Sequence, residues 1–201
     1  MSHFFKSATK DKALSEETTK DAYKQLTSNK HCTHEVGSPM TEELSIPIIC
    51  PTETVIEDWI DYNGHMNVAF YTLAFDKSLD IFLEDTLGIG ETHALDNKQG
   101  PFVLQAHYHY LNEMSLDEKF NVRLLVVDCD EKRMHLCLDI FSQNKDKVIA
   151  VAEKVLINVN LKIRKTENYP SWAYKRLIKL KDTHKNGIFP SVLGKEITLK
   201  K

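Results

Sequence analysis

The chemistry of this chain concentrates in seven consecutive residues, Asp61-Tyr62-Asn63-Gly64-His65-Met66-Asn67. A carboxylate, an amide, an imidazole and a glycine occupy a polar turn directly ahead of a long, mostly apolar segment. If that segment is a helix, its N-terminus presents free backbone N–H groups and a partial positive charge, which can bind an oxyanion and hold Asp61 ionised. Asp61 then qualifies as nucleophile or general base, His65 and Asn63 as groups that orient a water or a carbonyl, and Gly64 as the point where a substrate carbonyl approaches the backbone. The plainer alternative is a helix N-terminal box in which Asp61 and Asn67 only cap and His65 bonds its own turn. Spacing alone leaves both open.

The elements that must position the turn follow from hydrophobic spacing. Val68, Tyr71, Phe75, Leu79, Phe82 and Leu83 recur at helical period, and Phe70, Leu73 and Ile81 widen the stripe. This predicts a buried helix with Asn67 as its N-cap and Gly88 and Gly90 near its end. Residues 46–60, interrupted by Pro47 and Pro51, suit an irregular first strand. After a loop at 96–101 come four strand-like runs, 102–111, 120–127, 134–141 and 148–163, with short polar separators; the last is long enough to bend. Ser171 is expected to cap a second, amphipathic helix carrying Trp172, Leu177, Ile178 and Leu180. The expected fold is α+β, one antiparallel sheet wrapped around one helix.

Composition sets the outer limits. The chain has 201 residues, 42% hydrophobic and 27% charged, which suits one generous domain or a domain with extensions. The division expected is a polar arm at 1–44, a central domain at 45–165 and a basic helix and tail at 166–201. Within the arm, a weak helix is expected inside 15–26, and His31-Cys32-Thr33-His34 crowds three potential ligands without zinc-site spacing. Cys32, Cys50, Cys129 and Cys137 form no C-x-x-C pair. With no secretory signal at the N-terminus and no apolar run of membrane-spanning length, a cytoplasmic protein is expected, free of metal, cofactor, nucleic acid and membrane. Gln105, His107 and His109 alternate along one strand face, better suited to a polar face or a subunit junction than to a metal site.

The element order and the turn resemble the hot-dog fold thioesterases of the 4-hydroxybenzoyl-CoA type. In these an Asp followed three positions later by Gly precedes the central helix. Asp61 and Gly64 match that pattern, and Tyr71 and Asp76 fall at its helical Tyr and Asp positions. The run from Asp61 to Tyr71, with Ala74-Phe75-Asp76 following, is similar to the betainyl-CoA thioesterases of carnitine catabolism, as are Tyr110-Leu111-Asn112-Glu113-Met114 and Lys132-Arg133-Met134-His135-Leu136. The arm at 1–44 and Asn112, in place of a basic residue, depart from that group.

The resemblance implies acyl-CoA hydrolysis in a homodimer or a dimer of dimers, with sites between subunits. Asp61 would be the reacting carboxylate and the amides after Gly64 the oxyanion donors. Met66 would belong to the substrate-binding turn. A betainyl group needs an aromatic cage, for which Trp59, Tyr62 and Tyr71 are the nearest rings. Two other classes compete: a hot-dog enoyl-CoA hydratase, whose His lies five residues after Asp rather than four, and a non-catalytic acyl-CoA-binding module. Glu113 is a candidate second carboxylate.

The near-neutral net charge of -3 conceals an asymmetry. Residues 162–201 hold 11 Lys and Arg against 3 Asp and Glu, leaving 15 against 26 for residues 1–161. Lys175, Arg176 and Lys179 on the basic helix are therefore candidates for the phosphates of coenzyme A, the alternative being a solvated helix face.

Overall fold

The computed structural model describes residues 45–199. The expectations for 1–44, the weak helix and the His-Cys-Thr-His run among them, lie outside the described residues.

The irregular first segment resolves into two short strands, β1 (Ile48–Ile49) and β2 (Glu53–Thr54), and a 3-10 turn at Glu57–Trp59. Both strands pair with β4. The central helix α1 (Val68–Ile81) starts at Asn67, whose side chain accepts from the Ala69 amide, and continues as a π-helical segment at Phe82–Leu87. Gly88, at φ 78°, ends it in the left-handed conformation that stops helices. A seven-residue helix, α2 (Glu91–Asn97), lies ahead of and runs into the stretch 96–101 expected to be loop, most of which is taken by the end of this helix and the start of the next strand at Gln99.

The four predicted strands are β3 (Gln99–Tyr110), β4 (Lys119–Cys129), β5 (Arg133–Ser142) and β6 (Lys147–Asn160). All pair antiparallel in the order β1-β4-β5-β6-β3, and a two-residue β7 (Lys165–Thr166) adds to β6. Register irregularities fall in β3 between Val103 and Gln105, in β4 between Val126 and Asp128, and in β5 between Ile140 and Phe141. They bend the sheet around the helix.

Alternation decides which face does the wrapping. Met134, Leu136, Leu138 and Ile140 of β5 join the core with Tyr71, Ala74, Phe75 and Leu79 of α1. The helix is not enclosed on every side: Ala69, Thr72, Asp76 and Asp80, four or so residues apart, stay exposed on one stripe. Phe75 and Tyr71 beside that stripe meet Tyr108 and Tyr110 of β3. Among the described residues β3 pairs only with β6, so its outer edge is open, with Phe102, Val103, Leu104, Tyr110 and Leu111 exposed.

The last helix, α3 (Ser171–His184), buries Ala173, Leu177 and Leu180. It packs on β4 and on the π-helical segment. Pro170, not Ser171, is its N-cap, without a side-chain cap bond. A proline there already carries the φ the entry needs. No helix of the described residues is long and apolar enough to cross a membrane.

Candidate active site

The turn at 61–67 is a small closed structure. Ile60 and Met66 form an antiparallel bridge, the Asp61 amide donates to His65 O at 3.0 Å, and the Gly64 amide donates to Asp61 O at 2.9 Å. Gly64 has φ 81°, and a Cβ built on it meets nothing within 4 Å. Glycine is therefore required by the backbone conformation rather than by crowding, and the space above it is open to a ligand.

Both oxygens of Asp61 are held. The Asn63 amide donates to Oδ1 at 2.8 Å, and Asn67 Nδ2 donates to Oδ2 at 3.3 Å. Asn67 uses its other atom, Oδ1, to accept from the Ala69 amide at 3.0 Å. One side chain thus caps α1 and fixes Asp61. Among the described residues the amides of His65 and Val68 have no acceptor, while those of Gly64, Met66, Asn67, Ala69 and Phe70 do. Free N–H groups beside a fixed carboxylate are the equipment for stabilising a tetrahedral oxyanion. His65 is half-buried, its Nδ1 3.4 Å from Met66 O; Asn63 is exposed and reaches Asp61 through its backbone.

The turn is pinned from below by residue 114. Met66 N donates to Met114 O at 2.8 Å, and Met114 N donates to the Tyr71 hydroxyl at 3.1 Å. Glu118, buried, ties the loop carrying Met114: it accepts from the Ser115 amide at 3.0 Å, from Lys145 Nζ at 2.9 Å and from the Ser142 hydroxyl. Burial pushes the Glu118 carboxyl up, but its hydrogen bonds to Ser142, Lys145 and Ser115 prevail and hold it below the ordinary value. Asn112, where a basic residue was expected, accepts from Lys147 Nζ at 2.6 Å, so a hairpin lysine brings an ammonium to that position.

The remaining candidates divide by place. Trp59 and Met66 are buried at 3% and 1% exposure, Trp59 stacked on Phe70 at 5.5 Å. Tyr71 is buried against Tyr110, whereas Tyr62 is 97% exposed. Among the described residues no ring contact links any two of Trp59, Tyr62 and Tyr71. Lys175, Arg176 and Lys179 are exposed on α3. Arg176 donates to Leu87 O at 3.3 Å and lies over the Trp172 ring at 5.1 Å, beside the far end of the central helix. The twenty residues from Val68 to Leu87 put that end roughly 30 Å from the Asp61 turn within one protomer. Gln105 and His107 line a hollow of about 490 Å³ on the opposite sheet face with His135, Glu153 and Lys195. The described residues contain no metal-holding group of His, Cys, Asp and Glu.

Two residues make contacts that spacing along the chain does not announce. Spacing assigns Asn67 a cap alone, whereas its Nδ2, six residues after Asp61, also holds the Asp61 carboxylate. Lys154, 2% exposed on β6, points at Asp76 with Nζ 3.6 Å from Oδ1, and burial lowers its pKa against the pull of Asp76 and Asp80. No periodic pattern announces a lysine there.

Comparison with known proteins agrees with this geometry. The profile of the thioesterase-like superfamily matches residues 55–177. A betainyl-CoA thioesterase of Pseudomonas aeruginosa is 26% identical over 145 residues, 72% of this chain and 91% of that protein. A bifunctional L-carnitine dehydrogenase/betainyl-CoA thioesterase of Rhizobium meliloti is 26% identical over 166 residues, 82% of this chain but 33% of that longer protein. Among solved structures, a provisionally assigned thioesterase of Pseudomonas putida is 30% identical with a TM-score of 0.66, covering 82% of this chain and 100% of that one. A Staphylococcus aureus protein solved in complex with CoA shares the fold at a TM-score of 0.72 and 24% identity, covering 79% of this chain and 99% of that one. The chain belongs to the thioesterase-like superfamily: it is a hot-dog fold hydrolase of the thioesterase type, related at low identity to the betainyl-CoA thioesterases.

Proposed function

We propose that the chain hydrolyses a small acyl-CoA thioester, with betainyl-CoA as the leading substrate, and that Asp61 is the reacting carboxylate. The observation that carries this reading is Asp61 held at both oxygens beside the acceptor-free amides of His65 and Val68. Asp61 either attacks the thioester carbonyl, giving a mixed anhydride that water cleaves, or removes a proton from the attacking water. Both routes consume one water and yield the free acid and the coenzyme A thiol. The relatives that act on betainyl-CoA support the choice of acyl group.

The open β3 edge, with Phe102, Val103 and Leu104 exposed beside the uncovered stripe of α1, supports association of two copies along this edge. In such a dimer the basic face of α3 would serve the opposite copy's Asp61, since its own is roughly 30 Å away. Neutralising Lys175, Arg176 and Lys179 together should then raise KM for acyl-CoA more than for a thioester lacking the nucleotide.

A panel of acyl-CoA thioesters assayed for free thiol, with Asp61→Ala as control, tests the reaction. Thiol release that survives the substitution would refute the role of Asp61. Hydration of an enoyl-CoA without thiol release would refute hydrolysis itself.

A further inference from the structure

A quaternary ammonium needs an aromatic face within reach of the reacting carbonyl, and the three rings nearest in sequence do not supply one together. One of them, Tyr71, does join two rings of β3. Tyr71 stands one helical turn below Asn67, which touches Asp61. Its ring packs edge-on against Tyr110 at 5.4 Å, and Tyr110 stacks on Tyr108 at 6.4 Å and 14°. Tyr108 and Tyr110 lie opposite Ala152 and Ala150 of β6, whose small side chains leave the rings room on the helix-facing side of the sheet. Phe75 closes the inner end against Tyr108 at 6.0 Å. Of the three, Tyr71 is buried and Tyr108 partly so, while Tyr110 is 47% exposed. A half-exposed ring held between one buried and one partly buried neighbour is a ready cation–π acceptor.

One carboxylate beside the rings has the matching sign. Glu113 is exposed three residues beyond Tyr110; Lys145 is engaged by its carbonyl oxygen and by the Glu118 carboxylate, leaving the Glu113 carboxylate uncompensated. At the inner end Lys154 is matched by Asp76, with Asp80 also acting on it. Lys147, held on Asn112 Oδ1 at 2.6 Å, is the other ammonium on this side, so the charge that favours a cation here is the exposed Glu113 carboxylate. In a trimethylammonio-acetyl thioester the nitrogen is two bonds from the carbonyl carbon, and a cation is attracted up to about 6 Å from a ring centroid.

We infer that Tyr110, braced by Tyr71 and Tyr108 and flanked by Glu113, receives the cationic end of the acyl group and sets the preference for a quaternary ammonium substrate. This rests on the acyl-CoA hydrolysis proposed above.

The test is the ratio of kcat/KM for betainyl-CoA to that for 3,3-dimethylbutanoyl-CoA, in which an uncharged quaternary carbon replaces the nitrogen. In the wild-type protein the ratio is about 5- to 30-fold in favour of the cation. Tyr110→Leu brings it close to one, and Tyr110→Phe, which keeps the ring, restores most of it. Glu113→Gln, at an exposed position where folding is not at stake, lowers it about threefold. A wild-type ratio near one, or a ratio undiminished by both Tyr110→Leu and Glu113→Gln, overturns the inference while leaving thioester hydrolysis intact. Release of thiol from neither substrate refutes the hydrolysis reading itself.

Discussion

Replacing Asp61 with Asn separates chemistry from structure. The substitution keeps the shape and keeps an acceptor for the Asn63 amide, now 2.8 Å from Oδ1. It fails at the other oxygen. There the new amide group faces Asn67 Nδ2, 3.3 Å from Oδ2, and Asn67 cannot turn over because its own oxygen holds the Ala69 amide at 3.0 Å. One charge-assisted hydrogen bond becomes a contact between two donors, a loss of about 1–2 kcal/mol. For a domain of this size that lowers Tm by roughly 2–8 °C and leaves the protein folded at 25 °C. The rate responds on a different scale. Loss of a general base costs about 10²- to 10⁴-fold, and loss of a nucleophile at least as much. Thiol release from acyl-CoA, followed with a chromogenic disulfide alongside thermal denaturation, should show a small fall in Tm and a fall in kcat of at least about 100-fold. A variant within about threefold of the wild-type kcat would place the reacting group elsewhere.

Three further outcomes follow from the same contacts. Asn67→Asp keeps the cap on Ala69 but replaces the donor to Asp61 Oδ2 with a second acceptor; kcat/KM for thiol release should fall about tenfold, and an unchanged value would show that the two side chains do not interact. Gly64→Ala meets no neighbour yet must hold φ 81°, so it should cost about 1–2 kcal/mol in a denaturation curve, with Gly64→Asn costing less; equal losses would contradict a purely backbone requirement. His184 is buried and accepts from the Val126 amide through Nδ1 at 2.8 Å, and burial holds its pKa below the ordinary histidine value against a backbone interaction at Ser45. Because the unfolded chain takes up the proton first, its contribution is intact above about pH 6.5 and is lost as pH falls through the folded pKa, at up to about 1.4 kcal/mol per unit. A His184→Asn variant whose stability falls as steeply between pH 6.5 and 5 would refute this.

The sequence by itself determined the order and type of the main elements, because each is written in local periodicity: the stripe from Val68 to Leu83, the alternation in β4 and β5, and the glycine that ends the central helix. It also marked the seven-residue turn, since a carboxylate, a glycine and an N-capping Asn clustered before an apolar helix are legible without neighbours. Local pattern has no way of recording what another segment contributes. That Met114 pins the turn and Tyr71 bonds Met114 is a contact across 43 residues of chain. The separation of the basic helix from Asp61 is likewise a property of the assembled fold: α3 packs against the far end of the central helix. The rings nearest in sequence to the turn were divided by burial, Trp59 inside and Tyr62 outside, while β3 pairing with β6 brought Tyr110 and Tyr108 up beside Tyr71. Spacing along the chain selects residues that share a helix or strand face; only the sheet register decides which faces meet.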